Sequence, residues 1–220
     1  MGTIAEPTLS KPRPLPVILL ADVSGSMQEY GKIEALNGAV SEMLGAFAAE
    51  DRSRAEIHVG IITFGGGAAR IHLTLQPAHE VAFQPFAATG NTPLGRALTL
   101  ARELIEDPAQ VPHRAYRPTL ALISDGQPND EWEAPLAALL ASPRAQKAAR
   151  FAMAIGPDAD QTMLARFLAD PAAKVVEAHQ AREIRRFFRW VTMTVTARSR
   201  SLSPSSDVPV QLTDLDDLEF

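Results

Sequence analysis

The stretch "ILLADVSGSMQEYGK", Ile18–Lys32, decides how the chain folds. It opens as an uninterrupted apolar run and then places Asp22, Ser24 and Ser26 on alternate positions. Val17 to Ala21 are continuously apolar, which predicts a strand covered on both faces, the pattern of a parallel sheet rather than of a half-exposed hairpin. The strand therefore ends in three oxygen-bearing side chains. In an open parallel sheet the ligand crevice lies beyond the carboxyl ends of the strands, where the winding direction reverses. Gly25 allows the loop that leaves the strand to fold tightly, so that alternate side chains turn toward one point.

Outward from this stretch, strand and helix patterns alternate. Ile33, Leu36, Val40, Met43, Leu44 and Phe47 recur at helical spacing. Ile57 to Phe64 reads as a β-branched strand, Gly65-Gly66-Gly67 as a turn, and Ile71 to Leu75 as the return strand of an edge hairpin. Thr89 to Thr92 is loop, Pro93 suits a first helical turn, and Leu94, Leu98, Ala101, Leu104 and Ile105 give that helix one apolar face. Thr119 to Ile123 is a further buried strand, followed by "SDGQPND". A helix over Trp132 to Leu140, a strand over Phe151 to Ile155, a short helix over Thr162 to Leu168 and a short strand over Lys174 to Val176 come next. Ile184, Phe187, Phe188, Val191 and Val195 form the core face of a last helix. The alternation predicts a doubly wound, mostly parallel α/β sheet flanked by helices, with one short antiparallel edge strand. Residues 1–14, with four prolines before position 17, read as an extended leader, 15–197 as the domain, and 198–220 as an acidic flexible tail.

Composition removes several functions. A net charge of −5 over 220 residues argues against a nucleic-acid binder that works by bulk electrostatics. The absence of cysteine excludes disulfides, zinc–thiolate sites and thiol nucleophiles. No apolar run reaches the roughly 20 residues of a membrane helix, and the first residues lack the apolar core of a secretory signal, so the expectation is a cytoplasmic protein without membrane contact.

Asp22 and Asp125 both stand at carboxyl ends of expected strands, and Thr92 stands in a loop before a helix. If the two strands are neighbours, Asp22, Ser24, Ser26, Thr92 and Asp125 converge. Two carboxylates and three hydroxyls are the donor set of a hard divalent cation, which takes oxygen ligands and keeps some waters. Other readings stand beside this one. Asp22 could be a turn or helix-capping carboxylate, and Thr92 could cap the helix that Pro93 begins. Ser24 could be a nucleophile, with Asp125 and His179 following in hydrolase order, although the G-x-S-x-G frame is missing because Val23 precedes the serine. No histidine or lysine stands near the motif residues in the sequence, which counts against a metal-assisted phosphatase or hydrolase.

"DVSGS", "TGNTPLGRAL" and "ISDGQPND" together resemble the von Willebrand factor A domain and its metal-ion-dependent adhesion site, an Asp-x-Ser-x-Ser motif followed by a distant Thr and a distant Asp. All five positions are matched, by Asp22, Ser24, Ser26, Thr92 and Asp125, and the resemblance covers about residues 15–197. It implies one divalent cation, Mg²⁺ or Mn²⁺, and no catalysis. Ser24, Ser26 and Thr92 would ligate directly, and Asp22 and Asp125 partly through water. A partner protein would present an Asp or Glu to the metal. The chain looks most like bacterial TerY-like proteins linked to tellurite resistance and stress, which are associated with a Ser/Thr kinase and a PP2C-type phosphatase. The cysteine-rich zinc-binding end of longer relatives has no counterpart in these residues.

Two arginine and acid patterns complete the reading. Arg182, Arg185, Arg186 and Arg189 fall on one side of the last helix, as a solvated face or as a dock for an acidic partner or the acidic tail. The tail carries Thr213 ahead of "DLDD", a candidate phosphorylation site, which makes a regulatory substrate of a partner kinase the alternative function.

Overall fold

The computed structural model describes residues 12–51 and 54–206. Six strands form one sheet: β1 Arg13–Asp22, β2 Ala55–Gly65, β3 Ala68–Pro77, β4 Thr119–Ser124, β5 Ala149–Ile155 and β6 Val176–Ala178. Their order is β3-β2-β1-β4-β5-β6, with every pair parallel except β2 and β3. Five α-helices flank the sheet: α1 Lys32–Ala48, α2 Leu94–Glu106, α3 Glu133–Ala141, α4 Gln161–Leu168 and α5 Ala181–Arg200.

The continuous apolar run of β1 has the expected cause. Leu15, Val17, Leu19 and Ala21 pack with α1 and α5, whereas Ile18 and Leu20 face the core formed with α2, α3 and α4. Both faces of the central strand are thus sealed, and a polar residue can appear only where the strand ends. The apolar positions expected of α1, α2 and α5 are all buried. The edge hairpin is longer than expected, and its turn places Gly66 and Gly67 at φ of 61° and 83°, backbone that favours glycine.

Several boundaries differ from expectation by one or more residues, three of them in ways that matter here. β6 lies two residues later, because Val176, Glu177 and Ala178 pair with Met153, Ala154 and Ile155. β1 begins at Arg13, whose guanidinium stacks 4.1 Å from the Tyr116 ring centroid. α5 continues to Arg200, past the expected limit at 197, and residues 201–206 fold back. The cause of the last difference is Arg198. It is only 2% exposed and donates to Thr119 Oγ1 at 2.6 Å, Arg117 O at 2.5 Å and Pro204 O at 2.9 Å. A polar sequence reads as tail until each nitrogen of its buried guanidinium is seen to meet an acceptor indoors. Thr213 and most of the leader lie outside the described residues. On α5, Arg182, Arg185 and Arg189 are exposed and Arg186 is half-buried. No helix among the described residues is long and apolar enough to cross a membrane.

Candidate metal centre

β1 and β4 are adjacent and parallel, with Ala21 level with Ile123. The chain runs from β1 outward to β2 and β3 on one side, and from β4 to β5 and β6 on the other. The crevice between their carboxyl ends is therefore the switch point of the sheet.

Asp22 sits at its floor, fully buried. Oδ1 accepts from Ser24 N at 2.9 Å, an Asx turn that sharpens the exit from β1, and Oδ2 accepts from Ser124 Oγ at 2.6 Å. Burial pushes the Asp22 carboxyl up to about 6, against the hydrogen bonds from Ser124 and Ser24, and the neighbouring charge of Asp125 adds to the rise. Ser26 Oγ donates to Asp125 Oδ1 at 2.7 Å and lies 3.1 Å from Ser24 Oγ, which is itself 3.5 Å from Asp125 Oδ1. Four of the five expected residues thus form one hydrogen-bonded group.

Thr92 is not hydrogen-bonded to these four; its backbone holds it beside the loop that follows Asp125. Its carbonyl accepts from Leu94 N at 2.9 Å and Asn129 N at 3.1 Å, and a Cβ built on Gly126 would lie 3.9 Å from its Oγ1. It does not cap α2. Pro93 occupies the cap position, and Asp130 instead accepts from Gly95 N at 2.9 Å and Arg96 N at 3.1 Å. Asp22 caps no helix either, since both its oxygens serve the crevice. The loops are held by backbone approach: Gly25 N donates to Gly90 O at 2.8 Å, Thr89 N to Val23 O at 2.8 Å, and Gly66 N to Thr89 O at 2.5 Å.

Two residues escaped the sequence reading. Ser124 fixes the second oxygen of Asp22, and its signal was a hydroxyl directly before the acidic residue at a strand end. Lys32 corrects the expectation that no lysine stands near the site. A 3₁₀ segment, Gly25–Gly31, ends with Tyr30 and Gly31 at φ of 55° and 70°, and this turn brings the first residue of α1 back over the crevice. Lys32 Nζ lies 2.7 Å from Asp125 Oδ2 and 3.5 Å from Ser26 O. A lysine in the first helical turn opposes the helix dipole, which was the available clue. Ser24 contacts no histidine, and His179 stands 3.6 Å from Glu177 instead. Trp132 packs on the core with Arg166 4.6 Å from its ring centroid.

The donor set fits a hard divalent cation. Two buried carboxylates face one ammonium, so the crevice already draws positive charge, and neutral hydroxyl oxygens fill the remaining directions. Asp22, Ser24, Ser26, Thr92 and Asp125 would hold such an ion.

Comparison with known proteins agrees with this architecture. Residues 17–127 match the family model described as the von Willebrand factor type A domain. The 60 kDa subunit of magnesium chelatase from Rhodobacter capsulatus is 33% identical over 146 residues, 64% of this chain and 24% of that protein. The chain thus spans about a quarter of that relative's length. Among solved structures, a von Willebrand factor type A protein from Catenulispora acidiphila superposes with a TM-score of 0.62 at 20% identity, covering 83% of this chain and 42% of the other. Proximal thread matrix protein 1 from the mussel byssus, with a zinc-occupied MIDAS motif, superposes with a TM-score of 0.63 at 17% identity, over 85% and 48% of the two chains. A family model that spans half the chain, on a sheet of this order, settles the family: the chain belongs to the von Willebrand factor type A domains.

Proposed function

We propose that the chain is a non-catalytic binding module that recognises a protein partner through one divalent cation, Mg²⁺ or Mn²⁺, held by Asp22, Ser24, Ser26, Thr92 and Asp125. The observation that carries this is the hydrogen-bonded convergence of Asp22, Ser24, Ser26 and Asp125 at the switch point. The relative named for magnesium chelation and the zinc-occupied neighbour support a divalent ion. When bound, the ion supplies positive charge to an Asp or Glu of the partner. Asp22 and Ser124 hold the floor of the crevice, the Ser24–Ser26 loop presents hydroxyls, and Lys32 neutralises Asp125 in the ion's absence. The resemblance to TerY-like proteins extends the proposal to a cytoplasmic tellurite-resistance or stress system with a Ser/Thr kinase and a PP2C-type phosphatase as partners.

The test is calorimetric titration of Mg²⁺ and Mn²⁺ into the chain and into Asp22→Ala, with partner capture from cells with and without chelator. Metal-dependent capture and loss of metal heat in the variant are expected. Equal heats, or capture that ignores chelation, overturn the reading. Lys32 is the one observation that favours metal-assisted phosphoester hydrolysis, since it places a cationic group beside the site. Turnover of a generic phosphoester with Mg²⁺ that is lost in Lys32→Met would establish that alternative.

A further inference from the structure

The opposite end of the sheet holds a cleft of about 1270 Å³ at the amino ends of β4 and β5. Arg117, Arg144, Lys147, Arg150, Lys174 and Arg198 line it, and Asp170 is the only carboxylate lining it among the described residues. Phe151 and Trp190 give it an apolar floor, their rings edge-to-face at 4.7 Å. Arg150 is held at an electrostatic cost. Arg150 donates to the carbonyls of Ala145 at 2.7 Å and Leu168 at 3.4 Å, reaches no carboxylate among the described residues, and keeps a buried Nε without a hydrogen-bond partner. Burial and the charge of Arg117 both lower its proton affinity. Positive groups gathered in a partly desolvated cleft are stabilised by an anion.

The chain itself carries a matching segment. The described residues end at Ser206, and Ser205 lines the cleft, its Oγ accepting from Arg117 N at 3.2 Å. Beyond it, Asp207, Asp214, Asp216, Asp217 and Glu219 are joined by no lysine or arginine, with Leu212, Leu215, Leu218 and Phe220 between and after them. Acids match the arginines and lysines, and large apolar side chains match the aromatic floor. We propose that this cleft receives residues 207–220 of the same chain, so that the acidic segment is held at the end of the domain opposite the metal centre. The attachment point on the cleft rim places the segment at a local concentration on the order of millimolar, so weak contacts suffice. This inference is independent of the metal reading, because no residue of the crevice takes part.

Zero-length carbodiimide coupling joins lysine amines to carboxylates and tests the proposal on the full chain, in a mixture of unlabelled and ¹⁵N-labelled protein, with Mg²⁺ and with EDTA. Expected are links from Lys147 or Lys174 to Asp214, Asp216, Asp217 or Glu219 within one chain, with or without metal. Hydrogen exchange of residues 208–220 should be slowed about tenfold relative to a free peptide of that sequence. Lys147→Glu with Lys174→Glu, both at exposed positions, should return exchange to the free-peptide rate while β1 stays protected. Links only between differently labelled chains would assign the cleft to a second copy. Absence of links together with free-peptide exchange would overturn docking altogether, including the case in which a separate acidic partner is the true occupant.

Discussion

The two ends of the sheet solve opposite problems. At the carboxyl end, loops approach one another through backbone: Val23, Thr89, Gly66, Gly25 and Gly90 hydrogen-bond main chain to main chain, and the side chains left over are acids and hydroxyls. At the amino end, arginine side chains reach out to carbonyls, and Arg198 alone ties α5 to β4 and to the segment after it. The first end is built by what glycine omits, the second by what arginine supplies. The charge follows the construction, with Asp22 and Asp125 buried in one crevice and arginines around the other.

The largest effect should come from the arginine end. Arg198→Ala leaves Thr119 Oγ1 and the carbonyls of Arg117 and Pro204 without a buried donor, a loss of about 4 kcal/mol. Urea unfolding should show it as an earlier midpoint. The additional stability conferred by Mg²⁺ should be unchanged, since distant sites add independently. A change in that increment would mean the two ends are coupled.

Gly65→Ala attacks the backbone-built end. A Cβ there would stand 2.4 Å from Val23 O, which is itself the acceptor for Thr89 N. Forcing strands β1 and β2 apart should cost about 3 kcal/mol. Unlike the arginine variant, it should also weaken metal binding, because Val23 lies between Asp22 and Ser24. Unaltered metal heats in a destabilised variant would show that the crevice tolerates displaced loops.

How far the sequence reaches differs between the ends for the same physical reason. The clustering of Asp22, Ser24, Ser26 and Asp125 was legible because continuous apolar runs placed Asp22 and Asp125 at strand ends and alternate spacing brought the two serines with them. β1 was legible because sealing both faces demands an unbroken apolar run. The arginine cleft was not, since Arg117, Arg150 and Arg198 are dispersed along the chain and become neighbours only when β4, β5 and α5 pack. Lys32 was missed although it ends the stretch that decided the fold. The left-handed backbone at Tyr30 and Gly31 turns it back, and no periodicity announces such a reversal. The limit of α5 was misplaced because a charged residue can be interior when each of its nitrogens finds an acceptor there.

Asp22→Asn separates fold from function inside the crevice. The carboxyl is desolvated, which disfavours its charged form. The amide keeps an acceptor for Ser24 N, turns Ser124 Oγ from donor to acceptor and removes the buried charge, so without added metal the protein should gain on the order of 2 kcal/mol. Stabilisation by Mg²⁺, about 2.7 kcal/mol when the ion is at 100 times its dissociation constant, should vanish. Thermal melts with Mg²⁺ and with EDTA read both quantities. A variant that is less stable without metal would show that Asp22 is held by its hydrogen bonds more strongly than burial penalises it.

Lys32→Met gives the smallest effect and the most specific one. The ammonium lies 2.7 Å from Asp125 Oδ2, and the Lys32 side chain is 16% exposed. A divalent cation drawn to the same carboxylate must overcome repulsion from that ammonium or wait for it to swing toward solvent. Removing the charge while keeping an unbranched apolar stem should therefore tighten Mg²⁺ binding about tenfold, which is about 1.4 kcal/mol. Without added metal the protein should lose stability, since Asp125 keeps its hydrogen bond from Ser26 but lacks a counter-charge. The two changes have opposite signs and one origin, so calorimetry and EDTA melts on the same variant check each other. Weaker Mg²⁺ binding in Lys32→Met would instead make the lysine a support for the loaded site, and the crevice would then resemble the arginine end, where a cationic side chain holds the structure together.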